Sequence, residues 1–228
     1  MDIFYLTSAI LLILTAYIFR FISILPFYRT HPNDRILTAH KGTNGPLHIF
    51  VFLGSGGHTG EMLRILQNYK ETLLNQDNVL YVGYSDIDSR NKFSKLLQSA
   101  CKVEYIEFKK AREVNSGLLA SLKSIFLTLM TSLLNVIRIR KSIAFKPHLI
   151  LLNGPGTCCI LVLWFKLLEW ILLFSSSSNI IYIESLARIN SLSLTGKIVY
   201  WMADEFIVQW KELELSCAPR AKYFGILT

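Results

Sequence analysis

Val51-Phe52-Leu53-Gly54-Ser55-Gly56-Gly57-His58-Thr59-Gly60-Glu61 decides the fold. The apolar run Leu47 to Leu53 reads as a buried strand and ends in a cluster of glycines. Behind it Met62, Leu63, Ile65, Leu66 and Tyr69 follow helical spacing, so the stretch is a strand, a tight turn and a helix N-terminus. Glycines let the backbone adopt positive φ and approach a ligand closely, and the first N–H groups of a helix have no partners within it. Such a place suits an anion, most often a phosphate; an ordinary tight turn is the alternative. His58 lies in the turn, as a base, a hydrogen-bond donor or merely a surface residue. The dinucleotide pattern G-x-G-x-x-G is imperfect here, because Thr59 stands where the third glycine belongs, and no Gly-Lys-Ser/Thr follows to make a P-loop.

Outward from this turn, short apolar runs alternate with longer helical ones. That pattern predicts a parallel α/β sheet covered on both faces. The strands fall at 47–53, 78–83, 103–108, 148–152, 179–184 and 205–209, and the helices at 60–74, 89–100, 115–141, 157–173 and 193–203. Ligands of such sheets bind at the C-terminal ends of the strands. After the second strand comes Ser85-Asp86-Ile87-Asp88-Ser89-Arg90, where Asp88 or Ser89 is expected to cap a helix and an acidic residue holding a ribose is the alternative. After the fourth comes Asn153-Gly154-Pro155-Gly156-Thr157, a second glycine turn. After the fifth comes Glu184; a carboxylate against a buried run is costly unless paired or working, and Arg188 one helical turn on is its candidate partner.

Upstream, Ile3 to Phe19 is almost continuously apolar, and the character resumes after Arg20 through Phe27. This is enough helix to cross a bilayer core, with Arg20 reaching to the interface. A cleaved signal peptide is the competing reading, disfavoured by Asp2 in place of a basic start. Basic residues on the C-terminal side (Arg20, Arg29, Arg35, Lys41) place the bulk of the chain in the cytosol. The organisation is therefore an anchor over 1–27, a Pro/Gly/Asn-punctuated linker over 28–46, and a Rossmann-like domain over 47–228.

Composition agrees with a membrane setting. Of the 228 residues 52% are hydrophobic and 18% charged, and the mean hydropathy is positive, so some surface is expected to meet lipid. Most of the net charge of +8 comes from 109–146, where eight basic residues face the single acid Glu113. Because that segment also holds the apolar run Leu118 to Ile137, it is expected to lie in the plane of a membrane against anionic headgroups. It lacks the interleaved aromatics of a nucleic-acid surface. The run Cys158 to Phe174 carries Lys166 and Glu169, which disfavour a spanning helix; it is expected to pack on the sheet with its outer side toward lipid or another subunit, or to be plain core. The four cysteines show no C-x-x-C spacing, which argues against a zinc site or a disulfide framework.

Five motifs occur together in order behind the apolar N-terminus: the glycine loop, Asn153 to Thr157, Tyr182-Ile-Glu-Ser185, Ser191 to Lys197, and Asp204 to Trp210. The set resembles the membrane-anchoring subunit of the two-chain UDP-N-acetylglucosamine transferase of asparagine-linked glycosylation, and the resemblance covers essentially the whole chain. It implies the N-terminal acceptor half of a GT-B glycosyltransferase, similar to the bacterial peptidoglycan transferase acting on a lipid-diphosphate sugar. The implied activity is inverting addition of the second N-acetylglucosamine to dolichyl-diphosphate-N-acetylglucosamine on the cytosolic face of the endoplasmic reticulum. A separate soluble catalytic subunit would bind the UDP-N-acetylglucosamine donor, leaving no cofactor or metal on this chain alone; other early dolichol-pathway enzymes are further candidate partners. On this reading His58 and Glu184 are the candidate bases, and Ser55, Gly56, Gly57, Thr59, Asn153, Gly154, Gly156 and Thr157 hold the acceptor diphosphate. Trp210, Tyr223, Phe224 and Leu227 are expected to dock the partner, a final strand closing the sheet being the alternative for the tail. The rival functions are a non-catalytic adaptor recruiting a self-sufficient enzyme and a nucleotide-dependent oxidoreductase.

Overall fold

The computed structural model describes residues 2–26, 45–96, 101–109, 118–217 and 219–228. After helix α1 (Asp2–Ile24) the chain runs β1 (His48–Leu53), α2 (Gly57–Asn68), α3 (Lys70–Leu73), β2 (Val79–Tyr84), α4 (Ile87–Leu96) and β3 (Lys102–Glu107). It continues through α5 (Leu118–Ile143), β4 (His148–Asn153), α6 (Thr157–Ile171), β5 (Ile180–Ile183), α7 (Leu194–Val199), β6 (Glu205–Val208), α8 (Lys211–Ser216) and β7 (Ala221–Tyr223). The strands form one sheet in the order β3-β2-β1-β4-β5-β6-β7, and every pairing is parallel. The order reverses between β1 and β4, the place at the C-terminal edge of such a sheet where ligands bind.

Alternation along each strand divides the core in two. Phe50 and Phe52 face α5, α6, α7 and α8 together with Ile150, Leu152, Tyr182 and Phe206. Ile49, Val51 and Leu53 face α2 and α4 with Leu80, Val82, Leu149 and Leu151. Burial on both faces is why these strands carry unbroken apolar runs.

The six predicted strands and the five predicted helices all appear, with shifted ends. The first sheet helix begins at Gly57, so His58 and Thr59 belong to its first turn, and it breaks at Tyr69 into α2 and α3. α8 was not expected as a separate element, and the alternative for the tail holds: it closes the sheet as its seventh strand, β7. Asp86, not Asp88 or Ser89, caps α4: its carboxylate accepts from the Ser89 N–H (2.8 Å) and hydroxyl (3.0 Å). Of the linker predicted over 28–46, residues 28–44 lie outside the described residues.

α1 is no free-standing anchor. Its C-terminal part packs on α6, with Tyr17 and Phe21 edge-on to Trp170. The Trp170 indole donates to the Tyr17 carbonyl (3.2 Å). Arg20, expected to reach the headgroups, instead donates to the carbonyls of Glu169 (3.0 Å) and Ser175 (2.9 Å), closing the C-terminal end of α6. The segment Phe4–Ile24 is long and apolar enough to cross a membrane by length and composition, and Phe4 to Leu14 project from the fold.

The charges on α6 point inward rather than to an outer edge. Lys166 Nζ donates to both carboxylate oxygens of Asp204 (2.8 and 3.0 Å) and lies 3.8 Å from Glu169. Asp204 also accepts from the Ile180 N–H (2.9 Å), and Glu169 from the Ser178 N–H (3.2 Å). α6 packs against α5, α7 and α1, and of its residues Leu163 and Ile171 stay exposed. α5 presents Phe126, Met130 and Leu134 outward at helical spacing, with Lys123 and Lys141 exposed toward its ends.

At the opposite end of the sheet His148 is buried, its Nδ1 bonded to the Lys146 carbonyl (2.8 Å). Nδ1 therefore carries the proton, and Nε2 is a buried acceptor with no donor. Burial above all, with Arg140 nearby, holds this imidazole below its ordinary pKa. A base with a lowered folded pKa keeps its full stabilisation above the unfolded value of about 6.5 and loses it as pH falls below that. The free energy of unfolding should thus drop between pH 7.5 and pH 5, by up to about 1.4 kcal/mol per pH unit for this group, and the thermal midpoint with it. His148→Gln should flatten the profile; an unchanged slope would contradict the assignment.

Candidate functional site

The crevice between β1 and β4 is built from the two glycine turns. After β1, Gly54 is enclosed and Ser55, Gly56 and Gly57 are exposed. Gly56 takes φ +58, and α2 starts with no side chain capping its N-terminus. After β4, Gly154 takes φ +74, and α6 likewise starts without a side-chain cap. The turns touch: a Cβ on Gly54 would lie 2.7 Å from Pro155, and one on Gly154 would lie 2.0 Å from Nδ1 of His58. Two helix N-termini without side-chain caps thus converge from adjacent strands, each turning the positive end of its dipole to the crevice, although in α6 the Cys158 and Cys159 N–H groups already donate to the carbonyls of Pro155 (2.8 Å) and Gly156 (3.1 Å).

Not every predicted phosphate ligand faces the crevice. The Thr59 and Ser89 hydroxyls lie 2.7 Å apart, both in bonding range of the Gly54 carbonyl (3.1 and 2.9 Å). Thr59 is fully buried, so its hydroxyl braces the turn and is not available to a ligand. Asn153 is also fully buried; its Nδ2 donates to Glu61 (2.9 Å) and to the Ile183 carbonyl (3.2 Å), fixing the amide with Oδ1 unpartnered. Thr157 is nearly buried in the first turn of α6, whereas Gly156 is exposed. Ser55, Gly56, Gly57 and Gly156 remain as open backbone.

His58 is half-buried against Gly154, with Nδ1 enclosed and unpartnered. Glu61, one helical turn on, completes the constellation. Its carboxylate accepts from Asn153 at the end of β4 and from the Ser185 hydroxyl (2.7 Å) just past β5. The sequence carried this signal, since a carboxylate three residues after a histidine in a helix shares its face, but the glycines drew the reading away from it.

Glu184 does not fit the role expected of it. It has no exposure. One carboxylate oxygen accepts from the Ser185 N–H (3.0 Å), the other from the N–H and hydroxyl of Ser193 (both 3.1 Å). Gly196 is tight against it, because a Cβ there would lie 2.0 Å from Oε2. The carboxylate is sealed at the start of α7, holding the β5–α7 connection. Arg188, its expected partner, is exposed.

The tail divides in the same way. The half-buried Trp210 indole donates to the Leu186 carbonyl (2.7 Å). Leu227 is buried, its N–H given to Gln209 (3.2 Å) and its carbonyl accepting from Asn68 (2.9 Å). Both residues, expected to dock a partner, hold the fold instead. Tyr223 is half-buried in β7, while Phe224 is 62% exposed beside exposed Ile226, at the same end of the sheet as the glycine turns.

Cys158 and Cys159 lie at the start of α6 as free thiols. Burial raises both pKa values, that of Cys159 to about 11, so neither is a nucleophile near neutral pH. Iodoacetamide at pH 7.5 is expected to leave Cys159 unmodified in the folded chain. Among the described residues no group of three or more His, Cys, Asp and Glu side chains is placed to hold a metal ion.

Residues 49–227 match the family described as "Oligosaccharide biosynthesis protein Alg14 like". The chain belongs to this family. It is 52% identical over 233 residues to the UDP-N-acetylglucosamine transferase subunit ALG14 of Saccharomyces cerevisiae, covering 98% of each chain. It is 51% identical over 231 residues to the same-named subunit of Candida glabrata, covering 96% of each. The subunit of Schizosaccharomyces pombe is 37% identical over 187 residues, covering 79% of this chain and 83% of that one. Among solved structures, MurG of Acinetobacter baumannii aligns with a TM-score of 0.47 at 10% identity, over 74% of this chain and 42% of that one. Within the Alg14-like chain, the crevice is therefore assembled from α2, the β4–α6 turn and Ser185.

Proposed function

We propose that the chain is the membrane-anchoring, acceptor-binding subunit of a UDP-N-acetylglucosamine transferase acting on a polyprenyl-diphosphate sugar, with the donor site on a separate soluble subunit. The convergence of two uncapped helix N-termini around His58 carries this reading. A diphosphate has two charged groups, and two adjacent helix N-termini with like-signed dipole ends suit it better than one. The names of the relatives supply the donor and the subunit status. The acceptor lipid and the endoplasmic reticulum membrane are what the family resemblance implies, and the cytosolic orientation follows from the basic residues behind the apolar helix.

In this proposal the acceptor 4-hydroxyl attacks the donor anomeric carbon as its proton passes to Nε2 of His58. The bond from that carbon to the UDP oxygen breaks, and UDP leaves with inversion. The resulting imidazolium needs an acceptor for its Nδ1 proton. Asn153 Oδ1, buried, unpartnered and held in a fixed orientation by Glu61 and the Ile183 carbonyl, stands on the residue next to the glycine against which His58 packs. Glu61 is thus a positioning residue. Glu61→Ala should lower kcat about 10- to 100-fold, the value of a buried charge-assisted hydrogen bond, with Glu61→Gln partly restoring it. Equal loss of thermal stability in both variants with kcat unchanged would mean that Glu61 only supports the fold.

The test of the whole reading is sugar transfer from UDP-N-acetylglucosamine to a short polyprenyl-diphosphate-N-acetylglucosamine by this protein, by the soluble subunit, and by both. Activity confined to the mixture supports a split enzyme. Activity of the soluble subunit alone reduces this chain to an adaptor. For partner docking, Phe224→Ser with Ile226→Ser should release the soluble subunit while leaving the thermal midpoint unchanged, whereas truncating the tail would also remove buried Leu227. Complex retained at full yield in the double variant would exclude this surface.

A further inference from the structure

We propose that the cleft at the seam of α1, α5 and α6 takes one acyl chain of an anionic phospholipid, with the lipid phosphate on Lys141. The inference rests on the reading of α1 as a membrane anchor. It concerns the opposite end of α6 from the glycine turns and is separate from the acceptor crevice.

The cleft measures about 500 Å³, within the roughly 300–1,000 Å³ typical of ligand sites. Tyr17 of α1, Ile137 of α5, and Leu168 and Ile171 of α6 line it, and its surface is overwhelmingly apolar. The two cations on its α5 side differ. Arg140 is turned inward, donating to the Ser178 hydroxyl (2.6 Å) and the Ser176 carbonyl (2.8 Å), whereas Lys141 is exposed at the rim. Phe145 and Phe174, also lining the cleft, are 80% and 93% exposed. Rings so uncovered at the lip of an apolar cleft gain contacts if the surroundings are lipid.

The depth of the cleft follows from α1. Aromatic side chains collect at headgroup level, and Tyr17, set edge-on to Trp170, lies on the cleft wall, where the projecting apolar half of α1 leaves the fold. The cleft therefore opens at the boundary between headgroups and hydrocarbon. An acyl chain enters it without crossing water, and the phosphate arrives at the height of Lys141. A soluble partner would have to push into the headgroup layer to reach the same walls.

The full-length protein in nanodiscs containing a phospholipid with a diazirine on its acyl chain tests this, in phosphatidylcholine alone and with added phosphatidylserine. After illumination, peptide mass spectrometry is expected to find adducts at 137–145 and 168–175, stronger with phosphatidylserine. Lys141→Gln should remove about fivefold of that labelling, the worth of one cation near an anionic surface. Ala144→Trp should fill the cleft and abolish it. Adducts on the projecting face of α1, at Leu11 and Leu14, serve as the internal reference. Their absence would refute the anchor reading. Labelled α1 with an unlabelled cleft, or cleft labelling indifferent to Lys141→Gln and to phosphatidylserine, would overturn this proposal even if Ala144→Trp failed to fold.

Discussion

Gly154→Ala is expected to abolish sugar transfer as severely as His58→Ala, although it adds a single methyl group. The new Cβ would lie 2.0 Å from Nδ1 and 2.2 Å from Cε1 of His58, so the ring must leave its place. The backbone at φ +74 adds strain of roughly 1–2 kcal/mol for an L side chain, which the domain tolerates. Removing a general base costs about 10²- to 10⁴-fold in rate. Both single variants should fall in that range of kcat/KM with the two-subunit complex intact. The double variant should lose nothing further, because residues acting as one unit are not additive. A Gly154→Ala enzyme at full rate would show that the position of His58 is irrelevant to transfer. Multiplied losses in the double variant would show that the two residues act separately.

Lys166→Met should produce the largest loss of stability of any conservative change in α6. Its ammonium is the charge partner of buried Asp204 and lies near fully buried Glu169, so removing it takes the bonded cation from Asp204. Breaking a buried pair in this way costs about 3–5 kcal/mol, a large share of the 5–15 kcal/mol available to a typical domain. For a domain of this size the thermal midpoint should fall by roughly 6–20 °C. Asp204→Asn is expected to be milder, because the amide oxygen still accepts from the Ile180 N–H. A Lys166→Met midpoint within a degree or two of the parent would mean that the carboxylates take up protons at little cost.

The alternation of strands and helices was readable because both sheet faces are covered, which makes each strand an uninterrupted apolar run between turn residues. β7 stood only as an alternative because it is three residues long and only partly buried. In the crevice, the glycines announced themselves by type, but the direction of a hydroxyl or carboxylate depends on contacts between elements far apart in sequence. Thr59 and Glu184 looked like ligand-facing groups from their neighbours; Gly54, Ser89, Ser193 and Gly196 turn them inward. Glu61 went unnoticed because its partners, Asn153 and Ser185, lie 92 and 124 residues away. Arg20 was misread for a related reason, since its acceptors are main-chain carbonyls, to which sequence gives no clue.

The clasp of Arg20 on the end of α6 makes the N-terminal helix a post rather than a tether. A catalytic unit on a flexible leash sweeps a disc of membrane and meets its lipid at many attitudes. One riding on a rigid post presents the same rim to the bilayer at every encounter. The search for substrate then falls to lateral diffusion of the lipid, and the tilt of the post, set by bilayer thickness, fixes how high the glycine turns stand above the headgroups.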